Sequence, residues 1–242
     1  MKEIKSKLLS QEYDFLRNNS YFGNQIIMLG ISGSNSYGTN IDGSDLDIRG
    51  ISLELPQDLL LLKESRNIAD NHTDTTIYQF NSFIKLLVKG QPNMIEMLGL
   101  RKEDYLYKNY IFDELLKNKE MFLSQHILHR IKGYTESEYK KSCNIGEKKK
   151  KYKSWMHIIR LYSFGYEIAN GNIFTYREKE KSLLLNIRKG IFNKEEFEEI
   201  LRIYREKFEI AANNSKIPYD PDLQKIKEFQ MKVNKRNICG CI

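Results

Sequence analysis

The sequence predicts an α+β chain: a small mixed β-sheet core with flanking helices, followed by an all-helical C-terminal domain. Three observations carry the prediction. Short apolar and β-branched runs of strand length fall before about residue 100, and from about residue 101 the apolar residues recur at helical spacing. Hydrophobic residues make up 40% of the 242, with 15 Tyr and 12 Phe, enough apolar material for a core and an argument against disorder. With only 4 Pro and no Pro/Gly/Ser-rich tract, no long flexible linker is evident, and residues 1–105 and 106–242 are read as two adjoining domains.

The elements follow in order. Residues 1–20 read as a helix, with Ile4, Leu8 and Phe15 near helical spacing, broken at Gly23-Asn24. Residues 25–31 are an apolar run of strand length that ends in a Gly-Ser turn. Residues 48–55 alternate in and out as a second strand, and the β-branched and aromatic residues 75–80 form a third. A helix over 81–89 stops at Gly90-Gln91-Pro92-Asn93. Further helices are predicted over 124–143, over 148–169 with a stop at Asn170-Gly171, and over 176–188 with a stop at Gly190. Asn193 caps the next, with Glu195 and Glu196 in its first turn and Phe197, Ile200, Leu201, Tyr204 and Phe208 on one stripe. Pro221 opens the last.

The formal net charge of +7 favours polyanions: nucleic acid, nucleotides or membrane surfaces. The 39 basic residues are spread along the chain, which equally describes a lysine-rich solvated surface. The 3 cysteines, Cys143, Cys239 and Cys241, are too few and too terminal for a disulfide framework; free thiols in a reducing cytoplasm are expected, although Cys239-Gly240-Cys241 could bind a metal. The N-terminus lacks a signal-peptide hydrophobic region, and no apolar run is long enough for a transmembrane helix. His72, His126 and His129 have no metal-ligand companions at useful spacing.

The chemistry-bearing segment is GSNSYGTNIDGSDLDIRG, residues 33–50. Asp45 and Asp47, one residue apart at a strand start, should share a face roughly 7 Å apart. Carboxylates held together raise each other's pKa unless a cation lies between them. Mg²⁺ is the natural cation, hard and oxygen-seeking, and it shares its shell with phosphates. Asp74, just before the third strand, can supply a third carboxylate; Asp70 lies nearby. Gly33 lets backbone approach a phosphate, and Ser34 adds a donor. Phosphate cradle plus metal carboxylates is what phosphoryl or nucleotidyl transfer needs. Tyr37 either stacks on a base or fills the turn. Arg49 is expected to point away from the carboxylates.

Gly33-Ser34, ten residues, then Asp45-Leu46-Asp47 resembles the signature of the DNA polymerase β nucleotidyltransferase superfamily. The fuller string is similar to a subgroup of predicted nucleotidyltransferases of bacteria and phages, some thought to act in RNA repair beside an RNA ligase. YQFNSFIKLLVKGQPNMIEML over 78–98 resembles the subgroup's strand–helix segment, with Gln91 where it usually has Asn. Lys153, His157, Arg160 and Leu161 resemble its Lys-x-x-x-His-x-x-Arg-Leu helix, and residues 185–190 and 216–222 are similar to later segments. The resemblance implies that Asp45, Asp47 and Asp74 hold two Mg²⁺ ions, with Mn²⁺ as a substitute. It implies that Gly33 and Ser34 bind the triphosphate, ATP or another, with Tyr37 and Ser44 as further candidate nucleotide contacts.

The helix over 148–169 is apolar nearly all round and therefore buried, yet Lys153, His157, Arg160 and Glu167 fall on one stripe of it. Buried charges need partners. Either Lys153, His157 and Arg160 face the cleft and contact triphosphate or acceptor, or they pair with acidic residues at the domain interface. The run Lys148 to Lys151 reads first as a solvated face. The sequence thus points to transfer of a nucleoside monophosphate to an acceptor hydroxyl, an RNA end being favoured over a protein or small molecule. A nucleotide sensor or a partner protein of a toxin on the same fold is the alternative.

Overall fold

The computed structural model describes residues 6, 8–19 and 25–240. Ile4, the Gly23-Asn24 break and Cys241 lie outside the described residues. Strands β1 (Ile26–Ile31), β2 (Ile48–Ser52), β3 (Asn67–Asp70), β4 (Thr75–Gln79) and β5 (Tyr105–Lys108) form one sheet in the order β3-β4-β2-β1-β5. Only β2 and β4 run parallel, so the sheet is mixed.

Three of these strands carry apolar or alternating patterns and coincide with the predicted ones. The two edge strands do not. The residues of β3 alternate exposed and half-buried, so it leaves no hydrophobic signal, and four-residue β5 directly follows a 3-10 turn. The predicted N-terminal helix is, among the described residues, a 3-10 turn, Gln11–Tyr13, and a short helix α1 (Phe15–Asn18). Tyr13 and Leu16 turn inward there against Leu29, Ile31, Ile48 and Ile77 of the sheet, and this packing overrides the helical pattern.

The remaining helices are α2 (Gly33–Tyr37), α3 (Pro56–Leu60), α4 (Phe80–Val88), α5 (Pro92–Met97), α6 (Tyr110–Lys117), α7 (Gln125–Ser142), α8 (Lys148–Ala169), α9 (Lys181–Lys189), α10 (Lys194–Asn213) and α11 (Leu223–Ile238). The longest, α8, packs against α7, α9 and α10 and is buried nearly all round, with Trp155 stacked 4.1 Å from Phe197. Asn193 caps α10 as predicted, and the Glu196 side chain returns a bond to complete a reciprocal cap. Helix α11 is capped by Asp222 and starts at Leu223, two residues after Pro221. Helix α9 starts at Lys181 rather than at 176, because the preceding residues are extended: Thr175 N–H donates to Gly99 O (2.9 Å) and Arg177 N–H to Tyr37 O (3.2 Å). That segment ties the helical half to α2 and α5.

One apolar core runs from Met28 and Ile51 of the sheet through Phe80, Phe83 and Ile95 to Ile131, Ile159 and Phe164 of the helices. β5 begins at residue 105 and pairs with β1, and α11 returns to pack on α3 and α4. Among the described residues no helix is long and apolar enough to cross a membrane.

Candidate active site

The parallel pairing of β2 and β4 aligns Ile48 with Thr75. The residues just before those partners, Asp47 and Asp74, therefore meet at the same end of the sheet. Ile48 N–H donates to Asp74 O at 3.1 Å and closes the junction. Asp74 takes a left-handed φ of +46°, a conformation a short polar side chain tolerates better than most. Its side chain is 52% exposed.

Asp47 lies against Gly33. A Cβ at that glycine would be 1.8 Å from Asp47 Oδ2, and φ there is +63°. The missing side chain is thus what admits the carboxylate to the start of α2. Burial, then the hydrogen bond to Asp74 and its like charge, push the Asp47 carboxyl up to about 6. Arg49 and Lys153 pull the other way. Arg49 does not point away from the carboxylates. It donates to Asp74 O at 3.0 Å and stands 3.6 Å from Asp74 Oδ1, because the β2–β4 register sets Asp74 beside the start of β2.

Asp45 is exposed and lines, with Asp74, a cleft of about 330 Å³ bounded by Glu12, Asn71, His72 and Thr73. Asp45 and Asp47 both precede β2, so strand alternation does not fix their side chains as a pair. Among the described residues no three His, Cys, Asp or Glu side chains converge on one metal position. Asp70 is occupied elsewhere: it accepts from Thr73 N–H (2.9 Å) and Thr73 Oγ1 (2.6 Å), which hold its carboxyl below the ordinary value. Ser34 is half-buried in α2, its carbonyl accepting from Thr39 N–H at 2.9 Å. Ser44 Oγ accepts from Ile41 N–H (2.9 Å) and faces the Arg188 guanidinium at 3.3 Å, so it closes its own loop.

The family model of the RNA repair pathway DNA polymerase beta family, RlaP, matches residues 8–232. The chain belongs to that family. No curated protein matches it. Membership in a DNA polymerase beta family points to a nucleotidyltransferase-like activity on nucleotide and nucleic acid.

The RlaP chain divides its predicted cationic stripe. Lys153 is exposed, and its charge reaches both Asp47 and His157. Arg160 is 2% exposed and paired with Glu96, its guanidinium 3.7 Å above the Tyr37 ring. Tyr37 OH donates to the other Glu96 oxygen at 2.9 Å. Arg160 thus takes the interface partner that the sequence left open, and Tyr37 fills the turn instead of presenting a free face to a base. His157 Nδ1 accepts from Arg160 at 3.2 Å, and burial, then the charges of Arg160 and Lys153, push its pKa down to about 3. Glu167 accepts from Asn172 Nδ2 (3.2 Å) at the far end of α8 and does not join the site. Glu96 gave no sequence signal: one acid in an apolar five-residue neighbourhood finds its cation 64 positions away.

Proposed function

We propose that this RlaP chain transfers a nucleoside monophosphate from a nucleoside triphosphate to an acceptor hydroxyl, an RNA end first, with pyrophosphate leaving. The observation that supports this most is the Asp47–Asp74 pair beside the exposed Lys153 ammonium. Two carboxyls in contact need a proton or a cation between them, and hard oxygen donors open to solvent suit Mg²⁺. Asp45 lines the adjoining cleft together with Asp74. A bound Mg²⁺ would neutralise phosphate charge and lower the pKa of the acceptor hydroxyl.

The chain's own groups have separate tasks. Asp47 and Asp74 hold the cation, with Asp45 as the third ligand and a second ion sharing the set. Arg49 fixes Asp74 through its backbone carbonyl. Lys153 meets the phosphates from α8, while Gly33 and Ser34 offer backbone and hydroxyl donors at the start of α2. The Arg160–Glu96–Tyr37 layer keeps α8 at a set distance from α2. Electrostatic positioning of this kind is most of what nucleotidyl transfer requires.

Incubation with labelled ATP, CTP, GTP or UTP, Mg²⁺ and either RNA or protein reads nucleotide and acceptor together. Label should pass to RNA, and Asp45→Asn should abolish transfer with the fold intact. Transfer surviving in that variant would remove the assignment. The position of Asp45 outside the Asp47–Asp74 pair favours a second reading, nucleotide binding without transfer. Tight binding with no label moved to any acceptor would select it.

A further inference from the structure

One cavity, lined by residues of the two helices that also reach Asp47, carries no net charge. It measures about 250 Å³ and lies between α2, α5, α7 and α8. Its floor is the Arg160–Glu96–Tyr37 layer, in which both Glu96 oxygens are satisfied and the Arg160 charge is balanced. Pro92 and Leu161 supply apolar wall. Gln91, Asn93, Tyr134 and His157 bring polar groups to it. Tyr134 is 50% exposed and meets His157 edge-on with ring centroids 5.7 Å apart.

The hydrogen-bonding character of the cavity can be read off. An arginine N–H only donates, so the Nδ1 of His157 that faces Arg160 is the acceptor. The neutral ring therefore carries its proton on Nε2 and has one donor left to give. Gln91 and Asn93 can each donate and accept. Neither side chain caps its helix, and Asn93 is exposed. A neutral lining does not attract phosphate. A volume below the roughly 300–1,000 Å³ of pockets for drug-sized ligands suits one flat heterocycle rather than a whole nucleotide.

The distance to the carboxylates also fits. Helix α2 runs from Gly33, which touches Asp47, to Tyr37, which lines the cavity. On α8, Lys153, whose charge reaches Asp47, is followed about one turn later by His157, which lines it too. Each span is four residues, about 6 Å of helix rise. Both walls therefore separate the phosphate end from the cavity by a similar step.

We propose that this cavity receives the base of the incoming nucleoside triphosphate, with His157 donating from Nε2, Gln91 and Asn93 reading the base edge, and Tyr134 covering the open side. The assignment rests on the nucleotidyl-transfer reading for the direction of the triphosphate. It is tested by calorimetric binding of the four triphosphates and of inorganic tripolyphosphate, with Mg²⁺ and no acceptor. The parent should separate its best and worst triphosphates by about tenfold, and Gln91→Ala, Asn93→Ala or His157→Ala should shrink that ratio to about threefold or less. Tripolyphosphate affinity should be unchanged in Gln91→Ala and Asn93→Ala, which keep every contact of the Arg160 layer. Equal affinity of the parent for tripolyphosphate and all four nucleotides overturns the proposal. A preference that survives in all three variants also overturns it. Base discrimination lost in the variants, with no transfer by the parent to any acceptor, leaves the pocket standing and removes only the transferase reading.

Discussion

Asp47 and Asp74 meet at the aligned ends of the parallel strands β2 and β4, and burial, then the neighbouring Asp74 carboxyl, push the Asp47 carboxyl up to about 6. The pair is stable only while something positive, a proton or a cation, lies between the two groups. The folded chain then binds this proton more tightly than the unfolded chain, whose carboxyl has the ordinary value of 3.8. The stability from the protonated pair is complete below that ordinary value and is lost as pH rises through about 6.

Asp47→Asn removes the charge and keeps the shape. In divalent-free buffer the variant should match the parent in Tm near about pH 4 and exceed it at about pH 7.5, where the parent carries two facing charges. Thermal melts across that range check it. Added Mg²⁺ should raise the Tm of the parent and not of the variant. Identical pH slopes for the two proteins would mean the pair is not coupled.

Gly33 is the position where a single methyl group should do the most local damage. A Cβ there strikes the Asp47 carboxylate, and the left-handed backbone adds strain. Gly43 has φ +77° and nothing within 4 Å of a built Cβ, so it isolates the backbone part. Gly43→Ala should cost on the order of 1 kcal/mol by strain alone. Gly33→Ala should cost more and should weaken Mn²⁺ binding, which Gly43→Ala should leave intact. Denaturant titration and metal titration of both variants separate the two effects.

Glu96→Ala would leave the Arg160 charge buried with no counter-charge. Arg160 and Glu96 side chains are 2% and 6% exposed, so water cannot substitute. Removing one partner of such a pair costs about 3–5 kcal/mol. Urea unfolding should show that loss, and Glu96→Ala with Arg160→Met should recover part of it. A double variant no more stable than the single would mean that the Tyr37 stacking, not the ion pair, holds the interface.

Much of this arrangement was legible in the sequence, and the parts that were not share a physical cause. Lys148–Ala169 was readable to the residue because its apolar residues are dense and Asn170-Gly171 stops it. The central strands were legible in kind and place, though each was read longer than it is. β3 and β5 were not, because edge strands of four residues need neither alternation nor β-branched density. Asp45, Asp47 and Asp74 stood out by their spacing and their place before strands. Spacing could not say which of them would touch: that follows from the Ile48–Thr75 register, a long-range property. The stripe on α8 was visible as a stripe, but only the fold shows that Arg160 meets Glu96 while Lys153 stays open to the site.

Asp70 and Asp74 compete in sequence for the role of third carboxylate, and the structure gives them different work. Asp70 accepts two hydrogen bonds from Thr73 and closes the turn between β3 and β4. Those bonds lower its pKa, so its contribution is present at neutral pH and is lost as the medium is acidified through the carboxylate range. Asp70→Ala should therefore reduce stability by on the order of 1 kcal/mol and leave the Mn²⁺ affinity near that of the parent. Asp74→Asn should do the reverse: the fold should be as stable or more so in divalent-free buffer, since the repulsion with Asp47 is gone, and metal binding and nucleotidyl transfer should fall together. Melting curves and metal titrations on the two variants, read side by side, give four values. Loss of metal binding in Asp70→Ala with binding kept in Asp74→Asn would reverse the assignment.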